Sequence, residues 1–242
     1  MLALLRKEVR AFLSSLIGYI AICIFLLLLG IFLWLLPGDT NILDNGFANI
    51  DPLFAIAPWV FLFLIPAITM RSFSDEKKSG TIELLMTRPL TDLQIIFAKY
   101  LAGFILVIFA LIPTLLFFYS IYRLGVAPGI DVGGTWGSYI GLLFLAGAFV
   151  SIGIFSSSIT DNQVISFLLA VLLCFFFYMG FQFLGELGSL AGVDQIIISL
   201  GINDHYISLS RGVVDTRDLL YFASLIFFFL LLTKTVLESR KW

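Results

Sequence analysis

FSDEKKSGTIELLMTRPLTD, residues 73–92, is the longest polar interruption in the first half of a chain that is otherwise mostly apolar. Gly80 and Pro89 bracket a segment with a helical pattern of its own. Thr81 stands where an N-cap would, Glu83 falls in the first turn where the helix dipole favours a carboxylate, and Ile82, Leu85 and Met86 share one face. A two-turn amphipathic helix is predicted. Directly after it, Thr91 and Gln94 have capping-box spacing and Leu90 and Ile95 have hydrophobic-staple spacing, so the next helix is predicted to begin sharply at Thr91. Each cap contributes about 1 kcal/mol, enough to set an angle but not to define a function. An ordinary solvated loop is the alternative reading of these residues.

What surrounds this stretch fixes the solvent. Of 242 residues, 60% are hydrophobic and only 12% are charged, and the mean hydropathy is +1.08. Such a chain is an integral membrane protein. The formal net charge of -2 decides little, and no long basic run indicates nucleic acid. Cys23 and Cys174 both lie in apolar runs, which reads as small core hydrophobes and not as a disulfide framework or metal cluster.

Six apolar spans are expected, over residues 16–36, 53–70, 93–122, 138–159, 164–184 and 218–235, in an all-α membrane domain covering 1–242. Residues 1–15 precede them as an interfacial helix, in which Leu2, Leu5, Val9, Phe12, Leu13 and Leu16 share one arc and Lys7, Glu8 and Arg10 lie outside it. The first span is too long for a signal-peptide core and shows no small-residue cleavage pattern, so it reads as uncleaved. Pro58 and Pro66 in the second span require neighbouring helices or polar side chains to satisfy the freed backbone groups, so that span is expected to face protein. Pro113 predicts a kink near Ile112 in the third span, which carries Lys99 at its boundary. Gly141, Gly147 and Ala148 give the fourth span small faces for close packing. Residues 185–217 are less apolar and include the short apolar piece 196–200, which suits a re-entrant or interfacial element on the outer side.

Orientation follows from the basic residues. Arg6, Lys7, Arg10, Arg71, Lys77, Lys78, Arg88, Lys99, Lys234, Arg240 and Lys241 fall on the N-terminal side, against Arg123, Arg211 and Arg217 opposite, 11 to 3. The positive-inside rule then places both termini and residues 73–92 in the cytoplasm. Trp34, Trp59, Trp136 and Trp242 read as an aromatic belt near span ends.

At residues 75–103, DEKKSGTIELLMTRPLTDLQIIFAKYLAG, the chain resembles the coupling-helix region of ABC-2 type transporter permeases: an acidic-basic lead, Gly-Thr-x-Glu, paired leucines, a proline and a lysine at the next span. The SSSITDNQ turn at 156–163 and DHYISLSRGVVDTRDLLYF at 204–222 agree with the same family. Within it the sequence looks most like the permease of the gliding-motility, Gld-type, ABC transporter of a bacterial inner membrane.

The resemblance implies a half-transporter working with a separate cytoplasmic ABC ATPase and with a second permease copy or a larger membrane subunit. Gly80, Thr81 and Glu83 match the coupling positions, Ile82, Leu84, Leu85 and Met86 would form the docking face, and Asp161 and Asn162 a second, smaller cytoplasmic contact. No substrate residue carries over. The chain contains no G-x-x-x-x-G-K-[ST] run to cradle phosphates, so ATP and Mg would be bound by the partner and no cofactor by this chain. No catalytic residue or metal site is expected. His205, the only histidine, reads as a loop or interface residue; Asp215 and Asp218 as a helix-start signal; and Glu186 as interfacial. The alternative function is a non-transporting membrane scaffold of an envelope or motility complex.

Overall fold

The computed structural model describes residues 1–44, 46, 48–86, 90–126, 129–186 and 194–239, and within these the side chains of all but residues 17 and 84–86. The described residues form helices and no strand: α1 (Leu2–Leu13), α2 (Leu16–Gly30), α3 (Asp51–Thr69), α4 (Ser74–Lys78), α5 (Thr81–Met86), α6 (Asp92–Leu111), α7 (Leu115–Leu124), α8 (Val132–Ile159), α9 (Gln163–Phe175), α10 (Phe181–Glu186), α11 (Asp194–Ile198), α12 (Ile202–Ser210) and α13 (Thr216–Glu238). Single π-turns at Ile31–Leu35 and Phe176–Gly180 prolong α2 and α9, and a 3-10 turn at Ile112–Thr114, holding Pro113, joins α6 to α7. Among the described residues six helical stretches are long and apolar enough to cross a membrane: Gly18–Leu35, Asp51–Lys78, Asp92–Leu124, Val132–Ile159, Gln163–Glu186 and Thr216–Glu238.

The bundle is built around α8, which packs against α3, α6, α9, α12 and α13. Its small residues make this possible. A Cβ on Gly141 would sit 2.5 Å from the Cβ of Leu209, and one on Gly137 would sit 2.4 Å from the carbonyl oxygen of Gly212. Glycines four apart therefore let α12 lie directly on α8. Gly212 itself has a φ of +81°, which ends α12 in a turn that favours glycine.

Helix α3 is buried along most of its length, Pro58 and Pro66 included, as its prolines predict. Proline at 58 has no N–H to offer the Phe54 carbonyl one turn earlier. The Tyr206 hydroxyl of α12 donates to that carbonyl instead, at 2.8 Å. Burial first, then the neighbouring Tyr178 phenol, pushes the Tyr206 hydroxyl well above its ordinary pKa, so it stays a donor.

Two sequence expectations do not hold. Trp59 does not belong to a belt: it lies mid-way along α3, edge-on to Tyr178 with ring centroids 5.8 Å apart. Cys23 is not a core residue, because its face of α2 is exposed, whereas Cys174 is buried. Of the two settings expected for His205, loop or interface, the loop is excluded: it lies within helix α12, against Asp218 and Tyr221 of α13. Trp242, Arg88, Pro89, Arg240 and Lys241 lie outside the described residues.

Candidate functional site

Residues 73–92 hold two short helices where the sequence indicated one. The charged lead SDEKK is itself α4, with Asp75 and Glu76 in its first turn and Lys77 and Lys78 in its last, the charge order that the helix dipole favours. Two hydrogen bonds of the form expected after a helix end, Ser79 N–H to the Asp75 carbonyl at 3.0 Å and Gly80 N–H to the Lys77 carbonyl at 3.1 Å, close α4. Gly80 then turns the chain with a φ of +68°, a left-handed conformation that disfavours side chains. Thr81 opens α5 as its first residue, and its hydroxyl is 2.8 Å from that of Ser79.

The predicted site residues divide by position. Thr81 and Glu83 are exposed and Ile82 is half-buried against the core. The backbones of Leu84, Leu85 and Met86 continue α5, and their side chains lie outside the described residues. Thr91 and Gln94 form the predicted capping box, with reciprocal bonds of 3.2 and 3.3 Å, which starts α6 at Asp92. Asp161 is exposed in the turn between α8 and α9, and the side chain of Asn162 caps α9 by accepting from Val164 N–H at 2.9 Å.

What sequence reasoning missed is the role of α4 as a junction. Glu76 is buried, with Oε2 3.0 Å from Lys99 Nζ of α6 and Oε1 3.2 Å from Lys7 Nζ of α1. Lys99, whose side chain is 1% exposed, also pairs with Glu8 at 3.0 Å, donates to the Ser72 carbonyl and lies 4.9 Å over the Phe73 ring. Two ammonium groups thus face two carboxylates from three helices, and their formal charges cancel. Burial works to lower the Lys7 ammonium, but the carboxylates of Glu8 and Glu76 together outweigh it and hold the group above its ordinary value. On the other side of α4, Asp75 accepts from the Gln163 amide, whose oxygen accepts from Arg71 at 3.2 Å. Lys77 donates to the Ser158 carbonyl at the end of α8. One five-residue helix therefore ties α1, α6, α8 and α9 together. The available signal was Lys99: an ionisable side chain embedded in an apolar run requires a counter-ion.

A second polar cluster joins α12 to α13. His205 Nδ1 is 2.7 Å from Asp218 Oδ1, its Nε2 is 2.9 Å from the Ser199 carbonyl, and its ring stacks on Tyr221 at 3.9 Å. Ser208 donates to the other oxygen of Asp218 at 2.6 Å. Because the serine bonds the carboxylate and not the imidazole, the three do not form a nucleophilic triad. Asp215 caps α13 as expected, accepting from Arg217 N–H at 2.9 Å, whereas Asp218 carries this additional interhelical role. Glu186 is exposed at the end of α10 and accepts from the Gln182 amide at 3.0 Å. Among the described residues no group of three His, Cys, Asp or Glu side chains could hold a metal ion.

No curated protein matches the chain. The family model described as ABC-2 family transporter protein matches residues 2–238, nearly the whole length. With six apolar helices and a match of that extent, the chain belongs to the ABC-2 family of transporter membrane proteins.

Proposed function

We propose that this chain is the permease subunit of an ABC transporter and that α5 is where a separate cytoplasmic ATPase, binding ATP and Mg, docks. The ATPase seats against Gly80, Thr81, Glu83 and the face formed by Ile82, Leu84, Leu85 and Met86, with Asp161 and Asn162 as a smaller second contact. The termini are cytoplasmic, the membrane is the inner membrane of a bacterium, and a second permease copy or a larger membrane subunit completes the pathway. Gliding motility as the process served rests on the likeness of the sequence, within that family, to the Gld-type permease.

The observation that carries this reading is the junction at α4. A push on α5 reaches α4 across only Ser79 and Gly80, and α4 is held by charge-assisted contacts to α1 and α6 and by polar contacts to α8 and α9. Movement of the docking helix is passed to the spans of α6, α8 and α9 together, as alternating access driven from outside the membrane requires. Glu83→Arg and Leu85→Asp test the docking. The wild-type chain purified from its own membranes should bring an ABC ATPase with it, and each variant should insert normally but lose that ATPase. Undiminished recovery with both variants would overturn the docking assignment, and absence of any ATPase from the wild-type complex would favour a passive scaffold.

A further inference from the structure

Helix α1 uses one face for the Lys7 and Glu8 pairs and leaves another unmatched. Arg6 and Arg10, one turn apart, are both exposed, and neither guanidinium has a hydrogen-bond or ion-pair partner among the described residues. They border a groove of about 560 Å³ between α1 and α6, lined otherwise almost wholly by apolar side chains, among them Leu2, Leu5, Val9 and Leu13 of α1 and Ile105 of α6. Glu8 fixes the level of α1 by its 3.0 Å pair with Lys99. Ile105 lies six residues further along α6, a rise of about 9 Å towards the middle of that span. The groove thus runs from the polar end of the span into its apolar part, with the two cations at its edge.

From this juxtaposition of paired, unpartnered guanidinium groups with an apolar groove at the end of a membrane span, we infer that the α1–α6 groove binds an anionic glycerophospholipid. A soluble anion would leave the groove empty of apolar contacts, and a zwitterionic phospholipid would bring a cation of its own, beside its phosphate, up to the two guanidinium groups. A phosphate over an acyl chain satisfies both, and the planar guanidinium favours bidentate contact with phosphate oxygens. The source is the leaflet that faces α1. The lipid closes the outer side of the helix whose inner side holds Lys99, so it seats α1 without taking part in the docking of an ATPase.

The full chain in neutral detergent, titrated with phosphatidylglycerol or with phosphatidylcholine of the same acyl chains and read by native mass spectrometry, tests this. The anionic lipid should bind at least about tenfold more tightly, since each basic residue near an anionic headgroup contributes roughly fivefold. Arg6→Gln with Arg10→Gln should abolish the preference, Arg6→Lys with Arg10→Lys should keep most of it, and Arg123→Gln at the far end of the third span should keep all of it. Equal binding of the two lipids by the wild type, or an undiminished preference in the double glutamine variant, would overturn the site. So would displacement of the lipid by inorganic phosphate at matching concentration, which would indicate a free-anion site. In intact membranes, a photoreactive residue at position 2 should crosslink to lipid; crosslinking to a protein chain instead would assign the groove to a protein partner and overturn the proposal.

Discussion

Lys99 Nζ and Glu76 Oε2 lie 3.0 Å apart, and this pair joins the start of the third span to the short helix that precedes the candidate docking segment. Lys99 is almost fully buried and Glu76 nearly so, so neither charge is hydrated by bulk water and each depends on the other. Glu8 and Lys7 complete the balance from α1.

Glu76→Leu should therefore be among the most damaging single changes at this end of the protein. It leaves Lys99 buried with Glu8 alone, and removing one member of a buried pair destabilises by about 3 kcal/mol. Adding Lys99→Met should recover a large part of that loss, because no uncompensated charge remains. Thermal unfolding in detergent of both single variants and the double variant checks this, and the expected signature is strong non-additivity.

Tyr206→Phe removes the hydroxyl that donates to the Phe54 carbonyl, whose usual helical donor is missing at Pro58. The orphaned carbonyl should destabilise the protein by about 1–2 kcal/mol. In a Pro58→Ala background the backbone N–H returns, and the same tyrosine change should have a smaller effect. Unfolding midpoints of the four proteins measure the difference.

Gly141→Ala should separate α12 from α8. The added carbon would lie 2.5 Å from Leu209 Cβ, closer than packed carbons approach, and Leu209 is itself buried. A loss of about 1–3 kcal/mol is expected from such overpacking. Leu209→Ala in the same chain should not recover it, because alanine keeps the Cβ that the added carbon meets, and a stability measurement on the double variant would show the two losses together.

Gln163→Leu cuts both the Asp75 and Arg71 contacts of α9 without touching α5. On the proposed mechanism an ATPase should still co-purify with this variant, while stimulation of its hydrolysis by the permease should fall severalfold. Glu83→Arg should instead lose the ATPase altogether. Co-purification and ATPase rate measured on the same samples distinguish attachment from transmission.

Near neutral pH the Lys7 contacts should be insensitive to pH. The ammonium is held above the ordinary lysine value, so its contribution is fully present below about pH 10.4 and is lost only as pH rises through the raised value. Proteolysis of α1 should therefore be the same after incubation at pH 7 and at pH 9, release should begin only above the ordinary lysine range, and Lys7→Met should abolish that step.

The membrane character, the six spans, the proline-bearing buried second span, the break at Pro113 and the Thr91–Gln94 cap were all legible in the chain alone. Each rests on a local property: an apolar run of sufficient length, a missing N–H, or a side chain three residues from its partner. The family was legible for the same reason, since the residues at 75–103 form one continuous stretch. The junction was not. Glu8, Glu76 and Lys99 stand 68 and 23 residues apart along the chain, and only the packing of α1, α4 and α6 brings their charges within 3.0 Å of one another's counter-ion. Likewise a proline at 58 announces an orphan carbonyl, but which hydroxyl answers it depends on α12 lying against α3 after 152 residues of intervening chain. Sequence alone thus determined which segments must leave water and where their backbones break. Tertiary structure decided which charges and donors meet, because desolvated polar groups accept whatever partner the fold places within reach.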